Sequence, residues 1–276
     1  MRGKDDGLPA PGYVTWDSRD QPDYAGAYVT GLVGSLVSGS VVVQSEFDAP
    51  SLVTLYEVDF TSLANQTLGD AGSTPTIDGR TWYQVSQAAG VPTHSQIVNG
   101  TGLVVTNSGS TGTYRLGIRF ADVDPGFTAD PRQQRYEVWM LGARSGTPAG
   151  ASVYGAFIGD STNATLYVYG VGFEGGTPSL EYFSFATGFA IINTAASNAH
   201  DVFHLSMMNR YAFEGRYGDS SGGQFPGYDG LTLMAKHANR MDPVSTSVLA
   251  AGVMANNVAG PVMTYTRMKI VKISGV

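Results

Sequence analysis

The sequence contains no cysteine, which excludes disulfides and thiolate metal centres and leaves packing or assembly as the sources of stability. Charge is scarce as well. Charged residues make up 14% of the 276, against about a quarter in ordinary globular domains, so the surface must be built largely from Ser, Thr, Asn, Gln and Gly. Only four lysines occur, Lys4, Lys236, Lys269 and Lys272. With a net charge of −7 and no basic tract, the chain lacks the positive face that a phosphate backbone requires, and nucleic acid is not expected as a partner. A P-loop, a dinucleotide glycine fingerprint and a nucleophile elbow are all missing, so neither a cofactor nor a nucleotide is expected. The opening MRGKDDGLPAPG sets Asp5, Asp6 and two prolines where a secretory signal needs a basic start and an apolar run. The expectation is an unprocessed chain made in the cytoplasm.

Glycine is the abundant residue. Its 36 copies, about twice the usual share and without a collagen period, go with many turns. The length suits one large β domain or two ordinary ones.

Residues 26–43, GAYVTGLVGSLVSGSVVV, lie in a run without charge from Ala25 to Gln44. Read as a helix, Val29, Leu32, Val33, Leu36, Val37 and Val41 share a stripe. The four glycines at about 1 kcal/mol each and the β-branched valines oppose that. As a membrane span the run is barely long enough and is diluted by Gly, Ser and Thr, so no membrane is expected. As extended structure the Val and Thr content fits, and glycine permits bends. Residues 1–50 are therefore expected to be an extended N-terminal arm used in docking or assembly through Tyr28, Val29, Leu32, Val33, Leu36, Val37 and Val41, with residues 51–276 forming the domain.

After residue 51 the texture becomes short alternating runs. In TYRLGIRF (113–120), Tyr114, Leu116, Ile118 and Phe120 fall on one side and Arg115, Gly117 and Arg119 on the other, which predicts a half-buried strand. RYEVWML (135–141), SVYGAFI (152–158), DVFHLSMM (201–208) and MTYTRMKIVKI (263–273) read similarly. Between them lie turn clusters such as GDSTN and GDSSGGQFPG. Strands at this spacing without intervening helices predict an antiparallel sandwich or barrel.

YEVDF opening the domain, RTWYQV about twenty residues on, IVNGTGLVVTNS, and the closing TYTRMKIVKISGV together resemble the concanavalin A-like or laminin-G-like jelly rolls, an architecture also found in bacteriophage virion structural proteins. The resemblance implies an all-β fold, an antiparallel jelly-roll β-sandwich whose first strand pairs near its last, and a face that often binds sugars. The same fold serves glucanases, lyases and structural proteins, so it does not choose among them.

A retaining glucanase of this fold needs two carboxylates about 5 Å apart, typically from Glu-x-Asp-x-x-Glu, and no such run occurs. Glu57 and Asp59 in YEVDF lack a third acid, and Glu137 and Glu181 stand alone; each reads as a solvated or strand-facing acid. No catalytic residue is assigned. His200 and His204 in HDVFH have a zinc-protease spacing, but on a strand they lie about 13 Å apart. The clusters 159–163 and 217–223 offer one Asp apiece, too few for calcium, and read as turns. No metal site is assigned.

Aromatic faces stack on sugars, and the second half is rich in tyrosine. Tyr182, Tyr217, Phe225 and Tyr228 are the candidate glycan contacts, with core filling as the alternative. The unprocessed start, low charge and uncharged arm lead to the expectation of a bacteriophage virion structural protein, made in the host cytoplasm. Capsid decoration or cement anchored by the arm comes first, and a tail-associated component is close behind. Its expected partners are other virion proteins and copies of itself. The alternatives are a carbohydrate-binding, receptor-recognising module and, behind it, a polysaccharide-degrading enzyme.

Overall fold

A computed structural model of the chain describes residues 32–37, 40–45, 51–69, 72–86, 93–108, 113–127, 134–145, 153–162, 168–174, 177–184, 188–194, 200–208, 212–238, 246–256 and 259–274. Two units are distinguished, Met1–Val53 with Ile273–Val276, and Thr54–Lys272. In the first, β1 (Leu32–Val37) and β2 (Ser40–Ser45) form an antiparallel hairpin. Of the arm residues, Leu32, Val33, Leu36, Val37 and Val41 lie on these strands, whereas Tyr28 and Val29 are outside the described residues.

The strands that follow are β3 (Ser51–Asp59), β4 (Gln66–Thr67), β5 (Thr76–Ile77), β6 (Arg80–Thr81), β7 (Tyr83–Ser86), β8 (Thr93–Val98), β9 (Gly102–Ser108) and β10 (Thr113–Arg119). Next come β11 (Gln134–Ser145), β12 (Val153–Asp160), β13 (Val168–Glu174), β14 (Thr177–Ser184), β15 (Gly188–Thr194) and β16 (Val202–Met208). The chain closes with β17 (Ala212–Gly218), β18 (Thr232–Ala238), β19 (Leu249–Asn256) and β20 (Ala259–Ser274). A seven-stranded sheet runs β15-β14-β13-β12-β19-β10-β7, and a nine-stranded sheet runs β18-β17-β16-β11-β20-β9-β8-β4 with β3 also on β20. The chain passes directly from one of these sheets to the other between β7 and β8, β9 and β10, β10 and β11, β11 and β12, β15 and β16, β18 and β19, and β19 and β20. This winding makes an antiparallel jelly-roll sandwich in which the first strand of the domain lies beside the last, as expected.

Alternation decides which side chains meet between the sheets. Tyr114, Leu116 and Ile118 of β10, Ala156 and Ile158 of β12 and Val253 of β19 pack with Tyr136, Val138 and Met140 of β11 and Phe203, Leu205 and Met207 of β16. Along β20 the buried set changes from Met263 and Tyr265 to Met268 and Ile270. That one-residue slip turns Arg267 and Lys269 onto the outer face of the nine-stranded sheet. One buried polar cluster is knit together: the Tyr114 hydroxyl lies 2.6 Å from both Gln84 Oε1 and Ser95 Oγ, and Gln84 Nε2 donates to the Leu68 carbonyl at 2.7 Å.

In the seven-stranded sheet Gly117 faces Gly252 across β10 and β19. A Cβ on Gly252 would stand 2.2 Å from the Leu116 carbonyl oxygen and 2.5 Å from Gly117 Cα, so the backbones approach as closely as they do only because both side chains are missing. Gly252→Ala is expected to cost about 1–3 kcal/mol by overpacking, read as a lower urea midpoint at unchanged m-value; an unchanged midpoint would contradict the close approach.

Candidate functional site, a capped charged array

Register builds the site. On β11 the outer-face residues are Arg135, Glu137 and Trp139, two apart, while Tyr136 and Val138 point to the core. Pairing of β11 with β16, β16 with β17 and β17 with β18 lines up two rungs: Glu137, Ser206, Glu214 and Lys236 on one, Trp139, His204, Arg216 and Leu233 on the next. The outer face of a sheet ordinarily meets water, yet Arg135, Glu137, Trp139, His204, Ser206 and Glu214 are all buried.

The segment 219–231 covers them. Ser220 ties its start to Asp201, with N–H to Oδ1 at 2.7 Å and hydroxyl to Oδ2 at 2.5 Å. Ser221 and Gln224 bridge around Gly222 and Gly223, whose φ values of 58° and 72° suit the turn that glycine favours. Arg267 donates to Gln224 Oε1 and, at 3.3 Å, to the Gly223 carbonyl. At the far end, Arg216 donates to the Leu231 carbonyl at 3.3 Å, and Gly218 leaves room for Leu231, whose Cδ2 would be 2.9 Å from an added Cβ. Four rings then run edge to face: Phe225 on Trp139 at 6.1 Å, Trp139 on His204 at 4.5 Å, and His204 on Tyr228 at 5.5 Å between centroids.

The charges interlock beneath this cap. Glu137 Oε1 is 2.8 Å from Arg135 Nε, and its Oε2 is 3.1 Å from His204 Nε2 and accepts from Trp139 Nε1 at 2.9 Å. The arginine and histidine contacts are close but poorly aligned for hydrogen bonding, so the Arg135 contact acts mainly through charge. Glu214 takes Arg216 Nε at 2.5 Å, Arg135 Nη2 at 3.7 Å and Lys236 Nζ at 3.6 Å, and accepts from the Tyr228 hydroxyl. Arg135 also donates to that hydroxyl at 3.0 Å. Arg216 and Arg135 lie 4.3 and 5.0 Å from the Tyr228 ring centroid, adding cation–π attraction.

Burial opposes charge on Glu137, Glu214, Arg135 and His204, and the outcome depends on partners. Burial works against the Glu137 carboxylate, but His204, Arg135 and Trp139 outweigh it and bring its pKa down to about 2. Glu214 is likewise lowered, as Arg216, Tyr228 and Arg135 overcome desolvation. Desolvation also acts on Arg135, and Glu137, Tyr228 and Glu214 more than offset it. For His204 burial wins and lowers its pKa, with Glu137 only partly compensating.

The sequence-predicted residues divide. Phe225 and Tyr228 come together on the cap. Tyr217 packs against the core on the opposite face of β17, with its ring 4.5 Å from that of His200. Tyr182 pairs with Tyr169 in the other sheet, and its side chain is outside the described residues. Glu137, read as a solvated or strand-facing acid, is instead 1% exposed because the cap excludes water. The two histidines take different partners: His204 on β16 faces Glu137, and His200, just before that strand, has Nδ1 2.9 Å from Asp219 Oδ1. Glu57 binds Arg267 at 2.7 Å, and Asp59 accepts from Thr61 N at 2.9 Å. In 159–163, Asp160 Oδ1 accepts from Thr162 N at 2.7 Å, the turn chemistry expected there. Arg135, His204, Glu214, Arg216 and Lys269 were missed. Arg-x-Glu on β11 and Glu-x-Arg on β17 put opposite charges on one strand face, the signal that was present.

No protein-family model and no curated protein matches the chain. Among solved structures it is similar to a protein of unknown function from Shewanella oneidensis (11% identity, TM-score 0.43, 79% of this chain and 86% of that one). It is also similar to the Emp47p carbohydrate recognition domain (12%, 0.43, 82% and 97%) and to lectin II from Ulex europaeus (8%, 0.41, 69% and 92%). With β3 beside β20 and the chain wound between two antiparallel sheets, the architecture expected from the sequence is in place. The fold is an antiparallel β-sandwich wound as a jelly roll. These likenesses concern the fold alone, and no residue role is carried over from them.

Linkage fixes the pH response. Below pH 6.5, His204's ordinary value, the unfolded chain binds a proton that the buried imidazole refuses, so stability is full above that pH and falls with acidification. Glu137 adds a second loss that starts near 4.5 and is complete near 2. Urea midpoints measured from pH 8 to 2 are expected to fall in these two stages, with His204→Gln removing the upper one; a variant retaining both would contradict the assignment.

Proposed function

We propose that the chain is a non-catalytic carbohydrate-binding module whose recognition surface is the 219–231 cap. The observation that carries this reading is the immobilised aromatic pair: Phe225 and Tyr228 are part-exposed, yet fixed by Trp139, His204, Arg135 and Arg216. A surface ring held in place stacks on a sugar without first giving up rotamer freedom, which is the advantage of preorganisation. Gln224, Asp229 and Ser221, exposed on the same segment, supply amide, carboxylate and hydroxyl groups for sugar hydroxyls.

Electrostatics supports binding over hydrolysis. A glycosidase needs one carboxyl whose pKa is raised enough to deliver a proton. Glu137 and Glu214 are both lowered and clamped by arginines, so neither serves as that acid. On a glycan array followed by calorimetry, the protein is expected to bind a restricted set of saccharides. Phe225→Ala should weaken them about tenfold, about 1.4 kcal/mol, while its circular dichroism remains that of the folded chain. Failure to bind any saccharide, or unchanged binding by Phe225→Ala, would overturn the reading.

A second reading, assembly into a phage particle as a decoration or tail-associated protein, is favoured by the β1–β2 hairpin. Its twelve residues carry no charge, and a two-stranded sheet is marginal alone in water, while its edges suit strand addition by another virion protein or a second copy. Removing residues 1–50 is expected to abolish incorporation into the particle; full incorporation of the truncated chain would contradict it.

A further inference from the structure

We propose that the cap surface selects acidic saccharides, those bearing a carboxylate, with Lys269 as the residue that reads the charge. The inference rests on the carbohydrate-binding reading and names its ligand class. In a chain with net charge −7, the interlocked array runs the other way. Among the described residues, Arg135, Arg216, Lys236, Arg267 and Lys269 stand beside Glu57, Glu137 and Glu214. Asp219 at the edge of the cap is engaged by His200.

Lys269 is the cation left over. Arg135 is paired with Glu137 and Glu214, Arg216 and Lys236 with Glu214, and Arg267 with Glu57. Among the described residues no carboxylate lies within ion-pair distance of the Lys269 ammonium, and Glu57 and Glu137 act on it only from farther away. Instead its Nζ sits 4.3 Å from the Trp139 ring centroid and 4.8 Å from that of Phe225. Half-buried between two rings, it is partly stripped of water, and burial lowers its pKa. A desolvated ammonium without a counter-ion attracts an incoming carboxylate more strongly than a hydrated surface lysine does. Phe225 places the stacking ring beside that charge, so one acidic sugar meets both. On the same sheet face, Ser206 Oγ and His204 Nδ1 are buried without hydrogen-bond partners, further unmatched polarity beneath the cap.

The test uses the full-length protein and a panel of galacturonate, mannuronate and sialyl oligosaccharides, each beside its methyl-esterified form, which keeps the shape and removes the charge. The expected result is at least tenfold tighter binding of the acids. That preference should shrink as salt rises from about 0.01 M to about 0.15 M, where the screening length falls from about 30 Å to about 8 Å. Lys269→Gln should abolish the preference and Lys269→Arg should retain it, which separates loss of charge from loss of fold. Equal binding of acids and esters, unaffected by Lys269→Gln, would overturn the acidic selection and leave the glycan reading standing. Binding of neither form would overturn both.

Discussion

The structure turns on keeping Arg135 and Glu137 ionised together in a place without water. Two charges buried side by side repay their desolvation only when each remaining donor and acceptor has a partner, and removing one member typically costs about 3–5 kcal/mol because the other is stranded. Here the partners come from three strands, with Trp139 and Arg135 on β11, His204 on β16 and Glu214 and Arg216 on β17. The array forms only when those strands are in register, and it excludes water only when residues 219–231 fold over it. Strand pairing, cap and charge are therefore mutually dependent.

The inner face of the nine-stranded sheet and the capped part of its outer face are dry for different reasons. The inner face is covered by the second sheet and needs only volume, which Tyr136, Val138, Phe203 and Leu205 supply. The outer face is covered by a glycine-rich segment with little apolar surface. Its lid is held by specific partners instead: Ser220 on Asp201, Gln224 on Arg267, Tyr228 on Glu214. Such contacts are directional, so they fix ring positions, as a recognition surface requires.

Alternation made the strands legible: TYRLGIRF and RYEVWML supply β10 and much of β11, with Tyr114, Leu116 and Ile118 inward as predicted. The same rule misplaces Glu137, because period two states which residues leave the core and is silent on what covers them. The cap was hidden because GDSSGGQFPGYDG reads as turn chemistry throughout, and its anchors are scattered, with Asp201 just before β16, Glu214 on β17 and Arg267 on β20. Tyr217 shows the limit for aromatics. Its type matches Tyr228, but its strand parity sends it to the core, and composition does not carry parity. The slip along β20 that turns Lys269 outward has no local signature in TYTRMKIVKI.

Amide hydrogen exchange across 219–231 at neutral pH tests the central claim most directly. The account predicts protection at the hydrogen-bonded amides of Ser220, Ser221, Gln224, Gly230 and Leu231, lost throughout the segment in Glu214→Gln while β12 and β19 remain protected. Exchange of the segment in the intact protein at the rate of an unstructured peptide would contradict it.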